Sequence, residues 1–130
     1  PQSHYHHNTL ILLITEKKRH GKGPINMAVD KPYLSYVPPN RSPAKKPKVF
    51  KIKKNSIVIG RSSSAGLRIE DAKLAAEHAR LDVVDFHLVL IDLGSTRGTK
   101  LNHHRVRERM VLYPGDKIKV GQTRMELLGK

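Results

Sequence analysis

The ten residues "AKLAAEHARL", 72–81, decide between two fold classes. By composition they are a helix: Ala, Leu, Glu and Lys are strong helix formers, and no Gly or Pro interrupts them. A helix this short needs an apolar stripe at i, i+3, i+4 and i+7 to hold it against a core. The only apolar side chains of size are Leu74 and Leu81. The stripe is absent, which weakens the helix, and a loop entering a strand at Ala79 reads equally well.

The flanking sequence agrees. "KVFKIKKN", 48–55, alternates, with Val49, Lys51 and Lys53 on one face and Phe50 and Ile52 on the other. "SIVIG" (56–60) and "LRI" (67–69) read as short strands, and "ARLDVV" with "FHLVLIDL" reads as a hairpin turning near "DF". "GSTRG" (94–98) is a turn and "TKLN" a short strand. "ERMVLYPGDKIKVGQTRMELLG" holds two or three more strands with turns at "PGD" and "GQ". Strands separated by turn signals at this spacing belong to an all-β sandwich or barrel.

Toward the N-terminus the pattern is lost. "TLILLI", 9–14, reads as one buried strand. It is followed by 15–47, which is basic and holds five of the eight prolines between positions 32 and 47. That segment reads as a long insertion with little regular structure, and residues 1–8 as a disordered tail. The first residue is Pro, which suggests a piece of a longer chain.

The 130 residues suffice for one domain and carry 25 Lys and Arg against 11 Asp and Glu, a formal charge of +14. Residues 1–55 hold 12 basic and two acidic side chains; residues 56–130 hold 13 and nine. The excess sits in front, either to meet an acidic or nucleic-acid partner or as a solubilising segment. "KKRHGK" (17–22) and "AKKPK" (44–48) are similar to basic import signals or nucleic-acid patches, so nuclear import and a plain solvated loop both stay open, and the absence of Cys fits an intracellular location. There is no Cys, which excludes disulfides, thiolate zinc sites and thiol catalysis. The apolar run at 10–14 is too short to span a membrane. "HYHH" (4–7) and the pair His103–His104 lack the spacing of a metal site, and "RSP" (41–43) is a frequent phosphorylation motif. No nucleophile elbow, Walker loop or paired carboxylates support an enzyme, and no cofactor is implied.

Three elements then fall in order: Gly60-Arg61 after "IVI"; His78 opening "HARL"; and Gly94-Ser95-Thr96-Arg97-Gly98-Thr99-Lys100-Leu101-Asn102, followed by "LYPGDKIKVG" at 112–121. Together they resemble the forkhead-associated (FHA) domain family, closely over 48–128. The resemblance implies an eleven-stranded, mostly antiparallel β-sandwich of the SMAD/FHA type, here a single domain over 9–130 with its basic insertion after the first strand. It also implies recognition of a phosphothreonine peptide by loops at one end. Arg61 and Thr96 would hold the phosphate, Arg97 would meet the peptide backbone, and Ser62 is a further candidate hydroxyl. A phosphothreonine carries about −1.5 to −2 charge and three acceptor oxygens, which suits a guanidinium and hydroxyls on rigid turns. Gly60, His78, Gly94, Ser95, Gly98 and Asn102 would support these loops.

The departure lies in the opening stretch. The family usually has Ser three residues before the His, followed by Arg, Asn or Lys; here those places are Ala75 and Ala76. The Ser hydroxyl normally binds phosphate, and losing a hydrogen bond to a charged group is worth about 1.5–3 kcal/mol. The readings left open are an atypical phosphothreonine pocket, a phosphate-independent scaffold or oligomerisation domain, and a nucleic-acid contact through the basic front.

Overall fold

The computed structural model describes residues 23–25, 27–42 and 44–129. The first-strand reading of "TLILLI" and the tail over 1–8 lie outside these residues.

The period-two pattern of the short apolar runs becomes two sheets. In β3 (Ser56–Gly60) Ile57 and Ile59 are buried; β5 (Ala79–Val84) buries Ala79 and Leu81, and β6 (His87–Asp92) buries Leu88 and Leu90. With β4 (Leu67–Arg68) and β9 (Met110–Val111) these form a five-stranded sheet in the order β4-β3-β5-β6-β9. The second sheet contains β1 (Tyr33–Val37), β2 (Lys48–Lys51), β7 (Thr99–Leu101), β8 (His104–Arg105), β10 (Lys117–Val120) and β11 (Thr123–Leu128). Its order is β2-β1-β11-β10-β7-β8. Leu34, Leu101, Ile118, Val120, Met125 and Leu127 of this sheet meet the inner face of the first. Each large side chain so buried contributes roughly 1.5–3 kcal/mol. Among the described residues there are eleven strands, and every ladder is antiparallel except β3–β4.

The question posed by 72–81 is settled by hydrogen bonds. Ala72–Glu77 is a loop, and β5 starts at Ala79. His78 already bonds as a strand residue, its N–H to the Ile59 carbonyl at 2.9 Å and its carbonyl to the Leu93 N–H at 3.0 Å. Asp71 sets the loop's first turn, accepting from the Lys73 N–H at 2.9 Å.

One expectation is corrected. The segment 15–47 contains β1, which pairs with β11 from Tyr33↔Leu128 to Val37↔Arg124 and with β2 from Tyr33↔Lys51 to Tyr36↔Lys48. Pro32 and Pro38 flank it and made the stretch read as a loop, but neither needs to donate within the ladder. Upstream, Ile25 is buried, one helical turn runs over Met27–Asp30, and the Met27 N–H bonds the Phe86 carbonyl at 3.0 Å. This part of the segment closes the end of the sandwich that holds the β5–β6 turn. That turn, Asp85-Phe86, places both residues at positive φ (50° and 67°), as a two-residue hairpin demands.

Strand direction sorts the connections. β3, β6 and β10 end, and β5, β7 and β11 begin, at the opposite end of the sandwich. The loops β3–β4 (61–66), β4–β5 (69–78) and β6–β7 (93–98) therefore share that end with the β10–β11 turn.

Candidate functional site

Gly60 closes β3, and its Cα faces the β4–β5 loop at very short range. A Cβ built there would fall on the Ala76 carbonyl, so only glycine permits the approach. The approach allows two backbone bonds between loops: the Arg61 N–H to the Ala75 carbonyl and the Ser62 N–H to the Ala76 carbonyl, both at 3.1 Å. The Arg61 backbone is thus fixed while its side chain stays exposed. Ser62 is half-buried, and its hydroxyl lies 2.9 Å from that of Ser64.

His78 joins the third loop. It is fully buried. Its Nδ1 accepts from the Ala75 N–H at 3.1 Å, which leaves the ring proton on Nε2 to donate to the Gly98 carbonyl at 2.8 Å. One imidazole thus sets the separation of the β4–β5 and β6–β7 loops, as a buried, satisfied polar group does.

The β6–β7 loop is organised by Asp92, a residue the sequence patterns did not single out. Its Oδ1 accepts from the hydroxyls of Ser95 (2.6 Å) and Thr99 (2.7 Å), and its Oδ2 from the N–H groups of Gly94 (3.0 Å) and Ser95 (3.3 Å). Gly94 and Gly98 stand at φ 78° and 80°, where a side chain is strained. Ser95 is buried with its hydroxyl committed to Asp92, whereas Thr96 and Arg97 are exposed at the loop tip. A second unforeseen carboxylate, Asp71, accepts from the Gln122 N–H (2.7 Å) and the Thr123 hydroxyl (2.8 Å), tying the β4–β5 loop to the β10–β11 turn.

Asn102 differs from its expected neighbourhood. It stands at φ 49° in the β7–β8 turn, donates to Asp116 Oδ1 at 3.0 Å and accepts from the Lys117 N–H at 2.9 Å. These bonds lie at the far end of β7, so any support it lends the loops passes through the β7–β10 ladder. Of the expected residues, the structure therefore gathers Gly60, Arg61, Ser62, Ala75, Ala76, His78 and 94–98 at one end and places Asn102 at the other.

Burial pushes the carboxyls of Asp71 and Asp92 up, but the hydrogen bonds they accept outweigh it and hold both below the ordinary carboxylate value of 3.8. A folded-state pKa below the unfolded one contributes stability that is fully present above the unfolded pKa and is lost as pH falls through the folded one. The urea midpoint is therefore expected to drop on acidification below about pH 4. Asp92→Asn should be less stable at neutral pH and flatter in acid; parallel curves for the two proteins would remove Asp92 from this account.

The FHA domain family model matches residues 57–121. The chain is 32% identical over 71 residues to the FHA domain-containing protein FhaB of Mycobacterium tuberculosis, covering 55% of this chain and 46% of that protein. It thus spans about half the length of that relative. Among solved structures, the FHA domain of an Arabidopsis thaliana hypothetical protein superposes with a TM-score of 0.68 at 26% identity, over 85% of this chain and 94% of that one. A structure from an analysis of phosphothreonine-dependent FHA domain interactions gives a TM-score of 0.64 at 24% identity, over 75% of this chain and 94% of that one.

Proposed function

Because this chain belongs to the FHA domain family, we propose that it is a phosphothreonine-peptide-binding interaction module with an atypical pocket, which recruits phosphorylated proteins and does no chemistry of its own. The observation that carries this reading is Arg61: its backbone is clamped to the β4–β5 loop, its guanidinium is exposed, and the imidazole of His78 holds the Thr96–Arg97 tip in register beside that loop. Arg61 and Thr96 would take the phosphate. Arg97 would lie along the peptide, and Ser62 would reach the phosphate only by giving up Ser64. The proposed module spans 9–130. Among the described residues no helix is long and apolar enough to cross a membrane.

Titration with a phosphothreonine peptide library against unphosphorylated twins tests the reading. Selective binding of phosphorylated members is the expected result, and equal binding of both sets would overturn it.

Ala75 favours the second reading, a phosphate-independent scaffold, and the structure shows how to separate the two. Both backbone groups of Ala75 are engaged, its carbonyl by Arg61 and its N–H by His78, and the residue is half-buried. A hydroxyl added there is free to donate to a ligand. Ala75→Ser is expected to tighten phosphopeptide binding by about tenfold or more, the value of a hydrogen bond to a charged group. Unchanged affinity, read by calorimetry, would place the phosphate elsewhere or nowhere on this end.

A further inference from the structure

The outer face of the six-stranded sheet carries a row of cations that the proposed peptide site does not use. The ladder registers place Arg124 opposite Lys119, Lys119 opposite Lys100, and Lys100 opposite Arg105. Four positive side chains thus stand side by side on four adjacent strands, β11, β10, β7 and β8. All four are exposed, while the chain neighbours of Lys100, Lys119 and Arg124 are buried, so these three point away from the core. At about 4.8 Å between strands the row is roughly 14 Å long. Lys117 adds a cation in the adjoining row, where the paired carboxylate is Glu126. Among the described residues the ion pairs join Arg68 to Glu70 and Arg80 to Asp82; neither touches the row. A depression of about 630 Å³ runs beside it; its charged lining is Lys100, Lys117, Lys119 and Arg124 against a single carboxylate, Glu126, with His103 nearby. At the β8 end the Arg105 guanidinium lies against Gly98, so the row reaches the β6–β7 loop.

Like charges directly opposite each other destabilise a sheet. Three such pairs in succession concentrate positive potential along a line, and the ligand that fits a line is a linear polyanion. Its charge density separates the candidates. Duplex DNA presents one charge per about 3.4 Å of axis on each strand, so the strand that faces the row offers roughly four over its length. An extended acidic peptide turns alternate side chains to one face, one per about 6.7 Å, and offers only about two. The cores of protein interfaces are built on aromatic anchors and are depleted in Lys, and single-strand sites stack bases on aromatic rings; the row has no ring. We propose that this face binds the phosphate backbone of duplex nucleic acid without reading its sequence, through side chains other than those assigned to the phosphopeptide.

The test uses the full 130-residue chain and a labelled mixed-sequence DNA duplex of about 20 base pairs, followed by fluorescence anisotropy at rising salt. The row should contribute a slope of about −3.6 to log K against log salt, from four neutralised phosphates at about −0.9 each. The variant Lys100→Gln, Arg105→Gln, Lys119→Gln and Arg124→Gln should lose at least about tenfold in affinity at low salt and flatten the slope by that amount. Lys100→Gln or Lys119→Gln alone should flatten it by about one unit, which keeps the test readable if the fourfold variant folds poorly. Neutralising Lys17, Lys18, Arg19 and Lys22 removes the same charge from the front and should cost less. The proposal is overturned if the row variants bind as tightly as the parent, if the front variant loses as much as the fourfold row variant, or if polyglutamate binds more tightly than the duplex at matched charge.

Discussion

Replacing His78 with alanine is expected to destabilise the protein by about 3 kcal/mol or more, with the loss concentrated in the loop end. The side chain is fully buried and both ring nitrogens are bonded, one to the Ala75 N–H and one to the Gly98 carbonyl. Truncation removes both partners at once. Each buried backbone group left without a partner costs about 1–3 kcal/mol, and the space vacated by the ring adds to that. Against a total stability of about 5–15 kcal/mol, this is a large fraction. The urea midpoint should fall sharply at nearly unchanged slope. His78→Gln is the informative companion, because its amide carries an acceptor and a donor on one side chain and should recover part of the loss. Alanine and parent proteins within about 1 kcal/mol of each other would mean that the two loops are held by other contacts.

The same imidazole shows why parts of this architecture were legible in the sequence. Gly94 and Gly98 stand where the chain turns with positive φ, and His78 stands where a strand begins; each is a local requirement that leaves a residue type at a fixed place. The hairpin "ARLDVV"–"HLVLID" was legible because alternation and turn agree. β1 was not. "YLSYV" lies between prolines in a basic stretch, and it is a strand because β2 beyond the next loop and β11 from the far end of the chain supply partners. β8, two residues long, leaves no pattern to detect. Asp92 was invisible for a related reason. An Asx turn to Gly94 is a local signal, but the role of the carboxylate depends on hydroxyls three and seven residues onward converging on it, and that convergence exists only once β6 and β7 are placed. The departure at Ala75 was legible as a missing hydroxyl; the structure adds that residue 75 is held by its own backbone groups, its carbonyl by Arg61 and its N–H by His78, and needs no side chain for that.

If the proposed site holds the phosphate, Arg61 carries much of the binding, and Arg61→Ala is expected to weaken phosphothreonine-peptide binding by at least about tenfold and toward a hundredfold. A guanidinium offers two parallel donors to phosphate oxygens, and charge-assisted bonds of this kind are roughly twice as strong as neutral ones. In the proposed site, with no side-chain hydroxyl at position 75, fewer donors would share the phosphate, so a larger part of the discrimination against the unphosphorylated peptide would fall to the guanidinium. The fold should be unaffected, because Arg61 contributes its N–H rather than its side chain to the loop contacts. Arg61→Lys separates charge from geometry: it keeps the positive charge but loses the planar fork, and should bind with intermediate affinity. Calorimetric titration of the three proteins with one phosphorylated peptide and its unphosphorylated twin gives the comparison. If the alanine variant retains the affinity and the selectivity of the parent, the phosphate is not held at the end of β3, and a site elsewhere on the sandwich must account for any phosphopeptide binding that remains.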